Sequence, residues 1–339
     1  MIRLNLLVLS SHRRGSGKTT LALGIGLNAL ERGKSVGYLK PLGNKPVYSE
    51  GKIWDKDSEL ISEVLNLNRK KENLSIGFDY EKLRYSHGDL LKELKSSIWE
   101  SDVFLIECGS ISSGSYFNLD PTSITRELGG RAIFVLDGNR EELLDQSSFL
   151  RKLEEEMNLK IEIVINKAED PYSIKGEMEE LGLDPLGVIP KEETLETITP
   201  RRISEELNAR IIAGETGLDN EIRHIFIGAM SATEAMKNPL FYKKDKLIIT
   251  GGDRVDMILA AIESETSCLV LTNNILPPPN VISRASEEGV PLLLVPWDTY
   301  TTATKIERIE PTVYPEEKEK IRTIREIVEE HVSLDRILS

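Results

Sequence analysis

The chain has 339 residues, 40% of them hydrophobic and 29% charged, and its net charge is −13. This length is sufficient for two domains, and the composition is typical of a globular protein. The negative charge argues against general nucleic-acid binding and against binding to an anionic membrane surface. We see no secretory leader and no apolar run of about 18 residues, so we expect a cytoplasmic protein without a membrane span.

The two cysteines, Cys108 and Cys268, lie far apart, each at or beside an apolar run. We therefore predict buried free thiols in a reducing compartment in preference to a disulfide.

In the first half of the chain, short apolar runs alternate with helix-like segments. Continuous apolar strands separated by helices indicate a parallel sheet covered on both faces, with ligands at the carboxyl ends of its strands. The predicted strands are 4–9, 35–39, 102–107, 131–136, 160–165 and 186–189, and the predicted helices include 19–31, 57–65 and 90–99.

The stretch "SSHRRGSGKTT", residues 10–20, lies between the first predicted strand and the first predicted helix. Gly15 and Gly17 allow backbone N–H groups to turn towards phosphates, Lys18 offers a positive charge, and Thr19 offers a hydroxyl to Mg²⁺. The loop therefore predicts a phosphate-binding site, and the alternative is a Gly/Ser turn that happens to carry a lysine. The candidate nucleotide-binding residues here are Gly15, Ser16, Gly17, Lys18, Thr19 and Thr20.

Four polar residues follow later strands or open a helix, and two of them, Lys40 and Asp57, have a simpler interpretation as well. Lys40 is either a site residue or a surface lysine before the turn at Pro41. Asp57 is either a site acid or a helix N-cap. Glu107 ends an apolar strand, so it must be solvated, paired or metal-bound, and Asn166 ends another.

The order of these motifs resembles dethiobiotin synthetase and its relatives, the branch of P-loop proteins that includes the cobyrinic-acid amide synthases and the partition and division-site ATPases. The match consists of the loop, a Lys-Pro pair, an acid, a strand-end Glu-x-Gly, a strand-end Asn and the segment "GVIP" at residues 187–190. The usual phosphate loop has a glycine, four further residues and then Gly-Lys-Thr, and here His12 occupies the position of that first glycine. In the synthetase the loop starts from a small residue that is separated from Gly-Lys-Thr by five residues. Ser11 fits this longer spacing, so His12 does not depart from the pattern.

The resemblance implies a role for each of these residues. Thr19, Asp57 and Glu107 would hold Mg²⁺, with Asp55 as a competing match for Asp57. Lys18 and Lys40 would hold phosphate and an activated carboxylate and so carry the catalysis. Asn166 would read the adenine edge, and Val188 and Pro190 would line the base pocket.

Two departures from the family pattern leave alternatives open. Arg13 lies near the place where partition-type ATPases carry a lysine that reaches across a dimer, but we favour the alternative of a solvated loop arginine. The segment 110–117, "SISSGSYF", is either a binding site for a small anion or a plain flexible loop. Because relatives build sites across a two-fold axis, we expect a homodimer.

The sequence of the second half of the chain predicts another α/β unit. The segments "IGAM" at residues 227–230 and "TGGDR" at residues 250–254 resemble the DRTGG domain. The pairing resembles the BioD-like phosphotransacetylase proteins, which are frequent in archaea. We predict an ATP-binding domain at 1–200, a DRTGG-like domain at 201–315 and an amphipathic C-terminal helix at 316–339. No acetyltransferase domain is visible, so we expect no acetyl transfer to phosphate by this chain alone.

Three functions are compatible with these residues. The first is an ATP- and Mg²⁺-dependent enzyme with a ligase-like site that phosphorylates a small carboxylate. The second is a nucleotide-dependent switch, with slow ATP hydrolysis, whose second domain senses a small anionic metabolite or a partner. The third is a scaffold with a vestigial loop, which intact Lys18, Thr19, Asp57 and Glu107 disfavour.

Overall fold

A computed structural model describes residues 4–78, 80–85, 88–180 and 182–339. The chain forms two compact units, the first from Met1–Glu192 together with Val313–Ser339 and the second from Glu193–Thr312. The second unit is therefore inserted into the first. Residues 313–339, for most of which we predicted a C-terminal helix beyond the second domain, belong to the first unit.

The strands of the first unit follow the predicted runs closely, apart from one hairpin that we did not predict, and the second unit adds the strands from β9 onwards. They are β1 Asn5–Ser11, β2 Val36–Leu39, β3 Pro46–Ser49, β4 Lys52–Asp55, β5 Val103–Ser110, β6 Arg131–Leu136, β7 Ile161–Ala168, β8 Gly187–Pro190, β9 Arg210–Ala213, β10 His224–Ile227, β11 Lys246–Gly251, β12 Cys268–Thr272 and β13 Leu292–Leu294.

The α-helices cover both sheets. They are α1 Lys18–Glu31, α2 Lys56–Val64, α3 Tyr80–Arg84, α4 Leu90–Ser97, α5 Pro121–Leu128, α6 Arg140–Met157, α7 Pro171–Glu180, α8 Pro200–Leu207, α9 Ala232–Ala235, α10 Val255–Glu263, α11 Pro279–Glu287, α12 Thr299–Glu307, α13 Lys318–His331 and α14 Leu334–Leu338. Within the described ranges, no helix combines the length and the apolar character that a membrane span requires.

The sheet of the first unit has six strands in the order β2-β5-β1-β6-β7-β8, and every neighbouring pair is parallel. Strand β1 lies between β5 and β6, so the loop that follows β1 is flanked by the carboxyl ends of both neighbours. The central strands are buried almost throughout, as their continuous apolar sequences require. This topology brings the strand-end polar residues to one edge of the sheet.

The second unit has a five-stranded sheet in the order β10-β11-β12-β13-β9. Strands β10 to β13 are parallel, and β9 closes the edge in the antiparallel direction. Apolar clusters cover both faces of this sheet. The predicted α/β class therefore holds for both units.

The C-terminal segment completes the first unit. We predicted one amphipathic helix at 316–339, but the structure has two helices, α13 and α14. The break falls at Val332, which has extended backbone angles and forms a β-bridge with Gly187 of β8. Helix α13 packs on α1, where Gly24 lies against Val328 and the Asn28 amide donates to the Arg325 carbonyl at 3.0 Å.

Both cysteines are free and buried, as predicted. Burial raises the pKa of each thiol well above its usual value, so neither is a ready nucleophile.

Candidate nucleotide site

The glycine loop joins the end of β1 to the start of α1. Gly15 and Gly17 have φ angles of 76° and 96°, which glycine adopts without steric cost. The Lys18 Nζ donates to Ser11 Oγ at 2.7 Å, so the lysine folds back over its own loop. Burial lowers the pKa of Lys18, and the nearby Glu107 carboxylate partly offsets that effect. His12 lies on the exposed side of the loop.

Glu107, near the end of β5, contacts the first turn of α1 directly. Its Oε1 accepts from Thr19 Oγ1 at 2.8 Å, and its Oε2 accepts from the Tyr38 hydroxyl at 3.0 Å. Burial, together with the Glu107 charge, raises the pKa of Tyr38, so the phenol stays protonated as a donor. The carboxylate is thereby oriented from two sides.

Lys40 lies among three carboxylates and is only 3% exposed. Its Nζ contacts Asp57 Oδ2, lies 3.0 Å from Asp55 Oδ1 and 3.7 Å from Glu107 Oε1. Burial alone would lower the pKa of Lys40, but Asp57 and the other two acids raise it above its usual value. Lys40 therefore remains charged. The alternative of a surface lysine does not hold.

The two neighbouring acids of α2 have different tasks. Asp55 is the N-cap of α2, because its Oδ1 accepts from the backbone N–H groups of Asp57 at 3.0 Å and Ser58 at 3.3 Å. The alternative interpretation of Asp57 as the cap is therefore wrong. Burial opposes ionisation of Asp57, but Lys40 and Lys45 lower the pKa of its carboxyl well below the usual range.

The side chain of Asn166 contacts the glycine loop. It lies in β7, where its Nδ2 donates to the Ser16 carbonyl at 2.9 Å. A side chain at Gly17 would collide with this amide. Val188, predicted to line a base pocket, packs in the hydrophobic core with Leu136, and Pro190 is half-buried at the end of β8.

The sequence reading missed Asp137, the residue after β6. Its Oδ1 accepts from Ser16 Oγ at 2.5 Å, and its Oδ2 lies 3.1 Å from Arg13 Nη2. The signal was present in the sequence, because an apolar strand ends on an acid here just as β5 does at Glu107. Arg13 also pairs with Glu142 at 3.3 Å, so it is neither free nor fully solvated.

The segment after β5 is held by local hydrogen bonds. The hydroxyls of Ser110 and Ser113 lie 2.9 Å apart, and the Gly114 N–H donates to the Tyr80 hydroxyl at 2.8 Å. Four serines and a glycine thus lie in a hydrogen-bonded turn that closely follows Glu107 in the chain.

The oxygens around this loop are suited to a magnesium ion that also binds phosphate. The Thr19 hydroxyl and the carboxylates of Glu107 and Asp57 are hard oxygen donors, which Mg²⁺ prefers. Within the described residues, however, no group of three or more His, Cys, Asp or Glu side chains is arranged to hold a metal ion. The residues therefore fit a cation whose remaining ligands are phosphate and water, and they do not fit one caged by protein alone.

In the second unit, Arg254 of the segment 250–254 forms hydrogen bonds that connect two loops. Arg254 Nη1 donates to the Gly228 carbonyl at 2.8 Å, and its Nη2 donates to the Met230 carbonyl. A side chain at Gly252 would collide with the Ile275 carbonyl. The segments 227–230 and 250–254 are thus parts of one structure at the carboxyl ends of β10 and β11.

Comparison with known families identifies this part of the chain, since residues 202–309 match the DRTGG domain family. These residues form a DRTGG domain. The predicted α/β class of both units is confirmed, and so is the predicted DRTGG domain in the second half of the chain.

Including its DRTGG domain, the chain is similar to bacterial phosphate acetyltransferases. The enzyme of Synechocystis sp. is 24% identical over an alignment of 366 positions, gaps included, which covers 98% of this chain and 51% of that protein. The enzyme of Pseudomonas aeruginosa is 23% identical, covering 95% of this chain and 50% of that protein. The chain spans about half the length of the curated relatives that it matches.

Among solved structures, the chain is similar to the septum site-determining protein MinD of Pyrococcus horikoshii in complex with Mg-ADP. The identity is 20% and the TM-score 0.37, with 57% of this chain and 84% of that chain covered.

Proposed function

We propose that the first unit binds ATP with Mg²⁺ and transfers the terminal phosphoryl group to a small carboxylate. The observation that carries this proposal is the 2.8 Å hydrogen bond from Thr19 to Glu107, which joins the first turn of α1 to a strand-end acid. A phosphate-bound cation needs such a hydroxyl and carboxylate side by side.

In this proposal the loop N–H groups of residues 15–20 and the Lys18 ammonium hold the phosphates. Thr19, Asp57 and Glu107 hold Mg²⁺, which neutralises phosphate charge when bound. A carboxylate oxygen of the substrate attacks the γ-phosphorus, and the bond from that phosphorus to the β–γ bridging oxygen breaks. The products are an acyl phosphate and ADP. An amine or another acceptor then attacks the acyl carbon, inorganic phosphate leaves, and an attacking amine loses a proton.

Lys40 supports this chemistry by its position among the acids. Its ammonium offsets the negative charge of Asp57, Asp55 and Glu107, which would otherwise repel both ATP and a carboxylate substrate. We propose that Lys40 holds the incoming carboxylate once the cation has taken over part of this compensation. Catalysis then consists of positioning and charge neutralisation.

Trapping the acyl phosphate tests the proposed reaction. The protein is incubated with ATP, Mg²⁺, a panel of small mono- and dicarboxylates and hydroxylamine, and hydroxamate formation is measured with ADP release. We expect at least one carboxylate to give both products in equal amounts, and a Lys18→Ala variant to give neither. ADP release that no carboxylate stimulates would contradict the ligase-like reaction.

The second candidate function is a nucleotide-dependent switch in which the DRTGG domain binds a small anionic effector. It is favoured by the segment that follows the inserted unit. There Lys56, next to Asp57, donates to the Tyr314 hydroxyl at 2.9 Å, and its ammonium lies 4.3 Å from the Tyr314 ring centroid. Helix α13 of the same segment packs on α1, which begins with Lys18.

A switch would hydrolyse ATP slowly whatever carboxylate is added, and it would change its assembly with the nucleotide state. We expect a homodimer under this second function. Light scattering with ADP and with a non-hydrolysable ATP analogue tests it. Under the switch the mass differs between the two nucleotides, and an identical mass in both would argue against it.

A further inference from the structure

The carboxylate of Asp137 connects the glycine loop to a neighbouring strand. Asp137 follows β6 and is buried. It accepts from the Ser16 hydroxyl at 2.5 Å and from Arg13 Nε at 3.2 Å. The Gln146 amide donates to the Asp137 carbonyl at 3.1 Å and ties the same residue to α6. Two points of the loop are therefore attached to one fixed carboxylate.

The Ser16 residue is held from two directions. Its hydroxyl is bound by Asp137, and its carbonyl accepts from Asn166 Nδ2 at 2.9 Å. Because the C=O and N–H of a trans peptide point in opposite directions, a carbonyl turned towards Asn166 points the Gly17 N–H away from Asn166. Asn166 of β7 thus sets the direction of the Gly17 N–H, while Asp137, which follows β6, fixes the Ser16 hydroxyl.

An acid beside an anion site is unfavourable on electrostatic grounds alone. Here the charge of Asp137 is compensated, because Arg13 contacts it through both Nε and Nη2. The Asp137 hydrogen bond and charge raise the pKa of Arg13. Arg13 of the loop therefore offsets the charge of Asp137, and it shares its guanidinium with Glu142 at 3.3 Å.

We infer that Asp137 is a positioning residue for phosphate binding, which acts through Ser16 and does not touch the ligand. This inference rests on the proposed nucleotide site. It makes a prediction opposite in sign to simple electrostatics. Removing a carboxylate near an anion site strengthens anion binding if charge alone matters, whereas loss of a positioning contact weakens it.

The test measures binding of tripolyphosphate and ATP to Asp137→Ala by calorimetry, together with the unfolding temperature. We expect binding at least about tenfold weaker than in the wild type. Asp102→Ala is the matched control, because Asp102 also accepts from a serine hydroxyl, Ser35 Oγ at 2.6 Å, but precedes β5 at the opposite sheet edge. The control should bind both ligands as the wild type does.

The double variant Ser16→Ala/Asp137→Ala tests whether Asp137 acts on phosphate binding through Ser16. If Asp137 acts through Ser16, the double variant binds tripolyphosphate no more weakly than Asp137→Ala alone. Fully additive losses would overturn that route. If Asp137→Ala does not fold, the Ser16→Ala variant provides the test. We then expect Ser16→Ala to bind tripolyphosphate at least about tenfold more weakly than the wild type, with an unchanged unfolding temperature.

Two negative results have different meanings. Wild-type affinity or tighter in Asp137→Ala overturns the inference and leaves the proposed function intact. A wild-type protein that binds neither tripolyphosphate nor ATP overturns the proposed function, and the inference with it.

Discussion

The hydroxyl of Thr19 donates a 2.8 Å hydrogen bond to the carboxylate of Glu107, although the two residues are 88 positions apart in the chain. Thr19 lies in the first turn of helix α1, and Glu107 lies near the end of β5, the strand paired with β1. The contact therefore follows directly from the strand order. It defines the place where we propose that a phosphate-bound cation lies.

The first prediction concerns Glu107→Gln, which keeps the shape of the side chain but removes its charge. We expect Mg²⁺ to strengthen ATP binding in the wild type. In the variant, the factor by which Mg²⁺ increases the affinity for ATP should be at least about tenfold smaller. Calorimetric titrations of ATP with Mg²⁺ and with EDTA measure it. An unchanged Mg²⁺ effect would rule out Glu107 as a ligand.

The second prediction concerns the charge balance around Lys40. In Lys40→Met the buried acids Asp55, Asp57 and Glu107 lose their shared counter-ion. We expect the free energy of unfolding to fall by about 3–5 kcal/mol, measured by urea denaturation at pH 7. Lys45→Met is the control, because the Lys45 side chain is more exposed than that of Lys40 and its ammonium pairs with Asp57 at 3.2 Å. Its loss should be clearly smaller, and equal losses would contradict this account of Lys40.

The third prediction tests whether the C-terminal segment is part of the first unit. A Cβ at Gly24 of α1 would collide with Val328 of α13. We expect Gly24→Ala to destabilise the protein by about 1–3 kcal/mol, despite the better helix propensity of alanine. Gly176→Ala in α7 is the control, since its Cβ meets nothing within 4 Å, and it should be neutral or stabilising.

A second substitution checks that the clash is the cause. Val328→Ala should cost stability by itself, yet it should reduce the penalty of Gly24→Ala when the two are combined. Additive losses would mean that α13 does not pack on α1 as described.

The fourth prediction concerns pH and Lys246 in the second unit. Lys246 is fully buried, and its ammonium donates to the carbonyls of Lys243 and Ser264. Burial lowers its pKa from 10.5 to about 8, an effect that Glu265 only partly opposes. Between these two values the unfolded chain binds more protons than the folded protein, so this group makes stability rise with pH.

We expect the unfolding free energy of the wild type, relative to Lys246→Met, to increase by about 1–3 kcal/mol between pH 7.5 and 10.5. Paired urea denaturation curves across this range measure the difference, in which the titration of all other groups cancels. A difference that stays flat with pH would show that Lys246 keeps its ordinary pKa.

Much of the proposed site follows from the sequence because parallel strands bring their carboxyl ends to one edge. Lys18, Thr19 and Glu107 could be placed together on that basis alone. The division of tasks between Asp55 and Asp57 could not, because both acids lie at the start of α2 and only the backbone geometry shows which one caps it.

Longer-range features were harder to predict. The packing of α13 on α1 joins residues about 300 positions apart, on either side of an inserted unit, and no local pattern encodes it. The β3–β4 hairpin was missed although Glu50 and Gly51, with φ angles of 51° and 75°, form its turn. Glutamate rarely adopts such an angle, so the usual turn signal was weak.

The central claim is that a nucleotide binds at the glycine loop through its phosphates. The most direct measurement is a calorimetric titration of ATP, in the presence of Mg²⁺, into the wild type and into Lys18→Ala, with unfolding temperatures as a check on folding. The account predicts saturable binding at one site per chain in the wild type and affinity at least about 100-fold weaker in the variant. Equal affinity in the two proteins would contradict it.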